Sequence, residues 1–150
     1  MLFHKLFSTS LGIGYIGKGA GTVAAVACCI CWYFAWASGY QPIAALVITI
    51  IITLLGIWSS DVVSTIWGKD PSRVVIDEVA GMCVSLLFVP VTLKYIIIAL
   101  VLFRFFDIVK PLFIKKMENF PGGWGIMLDD VLAGVYANIL LQGALWLKLI

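Results

Sequence analysis

Long apolar runs separated by short polar stretches are the main feature of this chain. The runs occupy five segments, roughly 22–38, 42–58, 74–90, 92–106 and 128–147. Each run is about 15–20 residues long, which corresponds to a helix of about 25–30 Å. That length is just sufficient to cross the hydrocarbon core of a bilayer. The pattern therefore predicts an all-α fold, an integral membrane bundle with about five membrane-embedded helices.

Prolines and glycines mark the expected ends of these helices. Asp70 followed by Pro71 predicts a helix start, with an aspartate N-cap and proline at the first helical position. Pro111 is expected to end the fourth helix near Lys110, because the residue before a proline avoids helical geometry. The Pro-Gly-Gly sequence at 121–123 predicts a loop before the fifth helix.

Composition agrees with one membrane domain covering residues 1–150. Hydrophobic residues make up 63% of the chain and charged residues only 12%, and the mean hydropathy is +1.10. Soluble domains are about half apolar and a quarter charged. A net charge of +2 argues against a nucleic-acid partner. A cleavable signal peptide is not expected, because a glycine-rich segment precedes the first strongly apolar run.

The charged residues predict an orientation. With five crossings and a cytosolic N-terminus, all of the ten basic residues except Lys94 and Lys148 fall on the cytosolic side, as the positive-inside rule requires. Acidic residues contribute little to that rule, yet all eight fall on the same side. They are Asp61, Asp70, Asp77, Glu78, Asp107, Glu118, Asp129 and Asp130. We therefore predict a carboxylate cluster at the cytosolic helix ends.

Five of these carboxylates are candidates for a catalytic site. Asp77 and Glu78 are expected about two turns inside the third helix, Asp107 near the end of the fourth, and Asp129 and Asp130 at the start of the fifth. Ionisable residues at membrane depth are costly and are commonly functional. The alternatives are helix capping for the last two and a salt bridge to a nearby arginine for the first two.

The remaining carboxylates, Asp61, Asp70 and Glu118, are interpreted as solvated loop or capping residues. The five candidates have no histidine or cysteine beside them. Such an oxygen-only set favours a hard cation, and Mg²⁺ commonly keeps waters and substrate phosphate among its ligands.

Basic residues near the carboxylates predict a phosphate site. Arg104, Asp107 and Lys110 are spaced by three, so they share one helical face. A carboxylate between two cations is typical of a metal ligand beside a phosphate clamp; the alternative is an ion-pair ladder at the membrane interface.

A glycine-rich segment at 12–22 matches the first seven positions of the P-loop pattern GxxxxGK[ST]. Gly19 stands where the pattern needs a hydroxyl, and no strand is expected before it, so an NTPase is not predicted. A glycine-rich turn that leads into a helix still offers N–H groups to a phosphate, with Lys18 adding charge.

Four motifs then appear in order along the chain. GKGAGT at 17–22 looks like GKxPGT, and DPSRVVIDEVAG at 70–81 is similar to DPxxxVIDExxG. FRFFDIVKP at 103–111 matches FRxFDxxKP, and GGWGIMLDDVLAG at 122–134 matches GGxGIMxDDxxAG. Together they resemble the phosphatidylglycerophosphatase A family over nearly the whole chain.

The resemblance implies a multi-pass phosphatase of the bacterial inner membrane, with its site facing the cytosol. It would use Mg²⁺ to remove the terminal phosphate of the phospholipid phosphatidylglycerophosphate, which gives phosphatidylglycerol. By motif position, the implied acidic site is Asp77, Glu78, Asp107, Asp129 and Asp130, and all of these except Asp129 are implied metal ligands. The implied phosphate contacts are Lys18, Arg104 and Lys110.

Two departures from the family pattern affect the first motif. Ala20 replaces its proline, and Val23-Ala24-Ala25 replaces a glycine-serine pair expected after Thr22. We therefore expect a different shape for this loop.

Two other functions are compatible with parts of the sequence. An ion or proton transporter would place its carboxylates near the bilayer midplane. A phosphatidyltransferase acting on CDP-alcohols would carry a D-G-x-x-A-R…G-x-x-x-D-x-x-x-D signature, which is absent. The residues leave open which carboxylate acts as base, whether one or two metals bind, and the oligomeric state. Attack by water is favoured over an aspartyl-phosphate, because no nucleophile–base pair is visible.

Overall fold

The apolar segments fold into helices in the computed structural model, which describes residues 1–69 and 71–150. Over these residues the chain forms seven α-helices, one 3₁₀ turn (Ile13–Ile16) and no strand. The helices are α1 (Leu2–Ser8), α2 (Ala20–Trp36), α3 (Pro42–Trp67), α4 (Ile76–Leu86), α5 (Leu93–Val109), α6 (Ile114–Met117) and α7 (Gly122–Trp146). The all-α prediction is confirmed.

Two of the described helices, α3 and α7, are long and apolar enough to cross a membrane. One side of α3 exposes large apolar residues such as Ile43, Ile50 and Leu54, which is the surface expected of a helix in contact with lipid. The other main helices are shorter: α2 and α5 have 17 residues each and α4 has 11. At about 1.5 Å per residue α4 does not span a bilayer by itself. Five embedded helices stay a prediction.

Helix α7 is the centre of the bundle and packs against α3, α4, α5 and α6. Its contact with α4 is close because both helices carry glycine there. A Cβ at Gly81 would lie 2.5 Å from the Asp130 carbonyl oxygen, and a Cβ at Gly134 would overlap the Gly81 carbonyl oxygen. Small residues let two helix backbones approach in this way, so these glycines set the position of Asp130 relative to α4.

The start of α7 differs from the prediction. The helix begins at Gly122, so residues 121–123 are not a separate loop, and Asp129 and Asp130 lie about two turns inside the helix rather than at its start. The physical reason is a contact that is distant in sequence: the Gly123 N–H donates to the Asp61 carboxylate over 3.2 Å. This bond satisfies an N–H group that has no partner within the helix.

Helix α3 is longer than its apolar run and continues to Trp67. Asp61 therefore lies inside a helix and not in a loop. It is exposed, and it satisfies an N–H group at the start of α7, so the capping alternative agrees with the structure. At the polar end of α3 the hydroxyls bond back to the helix: Ser64 donates to the Asp61 carbonyl and Thr65 to the Val62 carbonyl, both over 2.7 Å.

Helix α4 begins later than predicted, at Ile76 rather than at Pro71. The proposed N-cap, Asp70, lies outside the described residues. The segment after Pro71 is held in a turn and by α1, since the Val75 N–H donates to the Ser8 carbonyl over 2.9 Å. Asp77 and Glu78 consequently lie in the first turn of α4, not two turns inside a longer helix.

Candidate active site

All eight residues predicted for the site line one cavity of about 590 Å³. We call it the carboxylate cavity. Its charged lining residues are Lys18, Asp77, Glu78, Arg104, Asp107, Lys110, Asp129 and Asp130. The loop 17–21 and the segment after Pro71 complete the wall. The structure thus brings together residues from four separate motifs, while their chemical roles stay predictions.

The direction of the helices explains this convergence. The cavity lies where α2 and α4 begin, where α5 ends, and beside the first turns of α7. Consecutive long helices run in opposite directions, so the motif residues meet at one end of the bundle. Asp107 lies near the end of α5, as predicted, and Lys110 follows directly after that helix.

Three carboxylates form the centre of the cavity. Asp77, Glu78 and Asp130 each offer an oxygen, and these oxygens lie within 4.8 Å of one another. One oxygen of Asp77 and one of Glu78 are buried and have no hydrogen-bond partner among the described residues. Like charges at such distances disfavour ionisation of the whole group. A divalent cation would remove this repulsion, and an oxygen-only set fits Mg²⁺.

The backbone of α2 comes unusually close to this group. A Cβ at Gly21 would overlap the Glu78 carboxylate, so a larger residue there would displace the Glu78 side chain. The first N–H groups of α2 have no partner within the helix, and the loop that carries them lines the same cavity. The beginning of α2 is therefore positioned to contact an anion beside Glu78.

Arg104 connects the carboxylates of α4 and α5. Its guanidinium bonds to Asp107 one turn later and lies 4.0 Å from Glu78. Its Nε is buried and has no partner within the described part of the chain. Arg104 thus retains an N–H donor that can form a hydrogen bond to a phosphate oxygen. Asp107, one of the four implied metal ligands, is engaged by Arg104 and lies beside the central group of three.

Lys110 joins α5 to α7. Its Nζ donates to Asp129 over 2.7 Å and to Glu118 over 2.5 Å. Partial burial acts to lower the pKa of the Lys110 ammonium, but its bonds to Asp129 and Glu118 outweigh burial and raise that pKa above its ordinary value. Lys110 therefore stays a cation and does not act as a base near neutral pH.

Glu118 makes a contact with Lys110 that the sequence did not predict. It was interpreted as a loop residue, and it does lie just after α6, but its carboxylate bonds to Lys110. No local pattern signals this pairing, because the two residues meet only through the turn that follows Pro111.

Lys18 is exposed and lies at the edge of the cavity, on the glycine-rich loop. The flanking Gly17 and Gly19 have φ angles of +92° and +85°, a left-handed region that favours glycine. Ala20 begins α2 and is buried. The loop lines the same cavity as the carboxylates, so the exposed Lys18 can contact a ligand bound there.

Comparisons with known proteins show the family of this chain. A family model described as phosphatidylglycerophosphatase A matches residues 6–145. The chain belongs to the phosphatidylglycerophosphatase A family. Membership in this family identifies it as a phosphatase, a phosphoric monoester hydrolase. Together with the two candidate membrane helices, it also indicates a membrane protein.

Individual relatives carry two different substrate names. The chain is 45% identical to a Bacteroides thetaiotaomicron protein provisionally named a phosphatidylinositol-3-phosphatase, over 94% of this chain and 92% of that protein. It is 40% identical to the Haemophilus influenzae phosphatidylglycerophosphatase A over 63% of this chain and 60% of that protein. It is 30% identical to the Escherichia coli phosphatidylglycerophosphatase A over 87% of this chain and 76% of that protein. No solved structure matches the chain.

Proposed function

We propose that this family member removes the terminal phosphate of phosphatidylglycerophosphate and releases phosphatidylglycerol, with the carboxylate cavity as its Mg²⁺-dependent active site. The observation that carries the proposal is the convergence of eight motif residues on one cavity, with three carboxylates within 4.8 Å. The family model and two of the relatives support the substrate by name.

The residues divide into two sets by charge. Asp77, Glu78 and Asp130 would hold Mg²⁺, with Asp107 next to them. When bound, this ion would neutralise phosphate charge and make a neighbouring water more acidic. A phosphate dianion cannot approach these carboxylates without a cation between them. Arg104 and Lys18 therefore contact the phosphate oxygens, and the buried Arg104 Nε is a free donor for that purpose.

Lys110 and Asp129 serve the same reaction from the α7 side. Lys110 is held by Asp129 and Glu118 and remains charged, so it stabilises the negative charge of the phosphoryl group in both the substrate and the transition state. Hydrolysis requires the water oxygen to bond to phosphorus while the ester P–O bond breaks. A cavity carboxylate accepts the water proton, and the leaving glycerol oxygen takes up a proton.

The proposed location is the bacterial inner membrane, with the cavity open to the cytosol. The excess of basic residues near this end of the bundle supports the orientation through the positive-inside rule. Cysteines introduced at exposed positions such as Lys115 should resist a membrane-impermeant reagent in intact cells and react after lysis. Ready labelling in intact cells contradicts the orientation.

Phosphate release by the purified protein tests the substrate. We expect efficient release from phosphatidylglycerophosphate and slower release from phosphatidylinositol 3-phosphate at equal surface concentration. The second lipid is included because the Bacteroides relative carries its name. A clear preference for phosphatidylinositol 3-phosphate would show that the proposed substrate is wrong. Release of phosphate from neither lipid would refute the proposed function.

A further inference from the structure

An apolar groove of about 490 Å³ runs along α2, between α1, α3 and α4. We call it the α2 groove. Among its described lining residues none is charged, and Ser10 contributes the single hydroxyl. Its volume is in the range of about 300–1,000 Å³ that is usual for small-molecule sites. The chemistry of this lining suits a hydrocarbon and not a headgroup.

Small side chains of α2 create the groove. Ala24, Ala27, Cys31 and Ala35 recur every three or four residues, so they lie on one face of the helix. Trp32 and Trp36 line its far end. From Ala24 to Trp36 the helix rises about 18 Å. One leaflet of a hydrocarbon core is about 15 Å deep, so the groove has the length of a chain in one leaflet.

The groove begins beside the carboxylate cavity. On α4, Ile76 and Val79 line the groove, whereas their neighbours Asp77 and Glu78 line the cavity. On α2, Ala20 lines the cavity and Ala24, one turn later, lines the groove. The layer between them is a small buried cluster of Ala20, Ala24 and Val75.

We propose that the α2 groove binds an acyl chain of the substrate lipid while the phosphate occupies the carboxylate cavity. The inference rests on the proposed function, because a lipid substrate must place its chains beside the site that holds its headgroup. The groove starts at that site and runs away from it along α2, which is the direction an acyl chain takes into the bilayer. A second copy of the protein would need a broader complementary face than this narrow cleft.

Bulky substitutions test the proposal by filling the groove. Cys31→Phe and Ala35→Phe change exposed groove positions, so they occupy the groove without displacing the buried core. Val26→Phe and Ile30→Phe are the matched controls, since both residues are exposed on the same helix but outside the groove. Each protein is assayed on long-chain phosphatidylglycerophosphate and on its deacylated, water-soluble counterpart, and its thermal unfolding is measured.

The groove variants should lose about tenfold in kcat/KM on the long-chain lipid, as misfit in an apolar pocket commonly costs. Hydrolysis of the deacylated substrate, and the unfolding temperature, should match those of the controls. Equal activity of all four variants on the lipid overturns the proposal, and so does an equal loss on both substrates. A wild-type protein that releases no phosphate from the lipid refutes the proposed function instead.

Photocrosslinking provides a readout that does not depend on turnover. Phosphatidylglycerol with a diazirine on one acyl chain should label α2 near Trp32, and Cys31→Phe should suppress that labelling where Val26→Phe does not. Labelling confined to α5 or α7, which do not line the groove, contradicts the assignment. A change from dimer to monomer in Cys31→Phe, with unaltered labelling, would identify the groove as an interface between copies and overturn the proposal.

Discussion

Two groups of polar residues lie within this apolar bundle, and they differ in whether their hydrogen bonds are satisfied. At the carboxylate cavity, buried atoms of Asp77, Glu78, Arg104 and Asp129 have no protein partner within residues 1–69 and 71–150. At the other end of α4, the side-chain N–H groups of Asn138 and Gln142 on α7 have partners. Asn138 donates to the carbonyls of Ser85 and Leu87 over 3.1 and 2.8 Å.

The second group explains how α4 can end inside the bundle. Leu87 leaves the helix in an extended conformation, which frees carbonyl groups where water is scarce. Asn138 and Gln142 donate to the Leu87 carbonyl, and Gln142 also donates to the Asn138 carbonyl oxygen over 2.7 Å. Irregular backbone at membrane depth is tolerated where other protein groups satisfy it.

The difference between the two groups indicates that one stabilises the fold and the other binds a ligand. Buried polar atoms that find partners within the protein stabilise the fold, whereas buried polar atoms without partners cost free energy. A set of unpaired carboxylates and a free arginine donor at one cavity indicates that a ligand completes the network. Variants of the two groups should therefore differ in their effects on turnover and on stability.

Removal of a carboxylate from the predicted metal site should have the largest effect. Asp77→Asn, Asp107→Asn and Asp130→Asn should each lower turnover about 100-fold or more, because a lost catalytic electrostatic contact commonly costs several kcal/mol. In metal-free buffer, Asp77→Asn and Asp130→Asn should unfold at the same or a higher temperature than the wild type, since each removes a charge from a repelling group. Steady-state phosphate release at saturating Mg²⁺ and thermal unfolding in detergent measure the two effects.

Glu118→Gln and Asp61→Asn are the controls for these variants. Each changes a carboxylate outside the central group, and we expect less than about tenfold loss of turnover, because neither touches the three central oxygens. If Asp77→Asn, Asp107→Asn and Asp130→Asn all keep near-normal turnover, the carboxylate site is wrong and the transporter hypothesis regains support.

Loss of the phosphate-contacting cations should affect binding as well as turnover. Arg104→Gln and Lys110→Met remove charge that the phosphate meets in both the ground and the transition state. We expect KM to rise and kcat to fall, with a combined loss in kcat/KM of about 10–100-fold. A fall in kcat with unchanged KM would indicate contacts made only in the transition state.

Close packing between α4 and α7 should be required for turnover, because it positions Asp130. Gly134→Leu would push α7 away from the Gly81 carbonyl and separate the carboxylates. We expect about tenfold or greater loss of turnover, since small misplacements of catalytic groups are costly. Gly143→Leu is the matched control, because a Cβ at Gly143 meets no other atom within 4 Å. Equal activity of the two variants, both folded, argues against this packing.

Substitution of the Asn138 side-chain amide should lower stability and leave turnover nearly unchanged, the opposite of what is expected for the carboxylates. Asn138→Leu keeps the side-chain size but leaves the Leu87 carbonyl with one donor fewer, at a cost of about 1–3 kcal/mol in unfolding free energy. Turnover of the folded protein should stay within about threefold of the wild type, because the residue is remote from the cavity. A loss of turnover as large as that of Asp130→Asn, without loss of stability, would break the distinction between the two groups.

The sequence predicted which residues come together better than it predicted the helix boundaries that position them. The eight site residues stand in local motifs, and alternating helices gather them at one end. The boundaries depend on partners that are distant in the chain. Asp61 extends α7 by bonding to Gly123, and Asn138 supports the early end of α4. Glu118 lacked any local signal for the same reason, since its partner Lys110 is reached only in the folded chain.

Metal dependence tests the central claim most directly. The protein is stripped with a chelator, dialysed, and assayed for phosphate release from phosphatidylglycerophosphate while Mg²⁺ is added back. We expect no activity in the stripped protein and full recovery with Mg²⁺, because the central group offers only oxygen ligands. Asp130→Asn should require more Mg²⁺ for half-maximal activity than Glu118→Gln does. Full activity in excess chelator after prolonged dialysis would contradict the account.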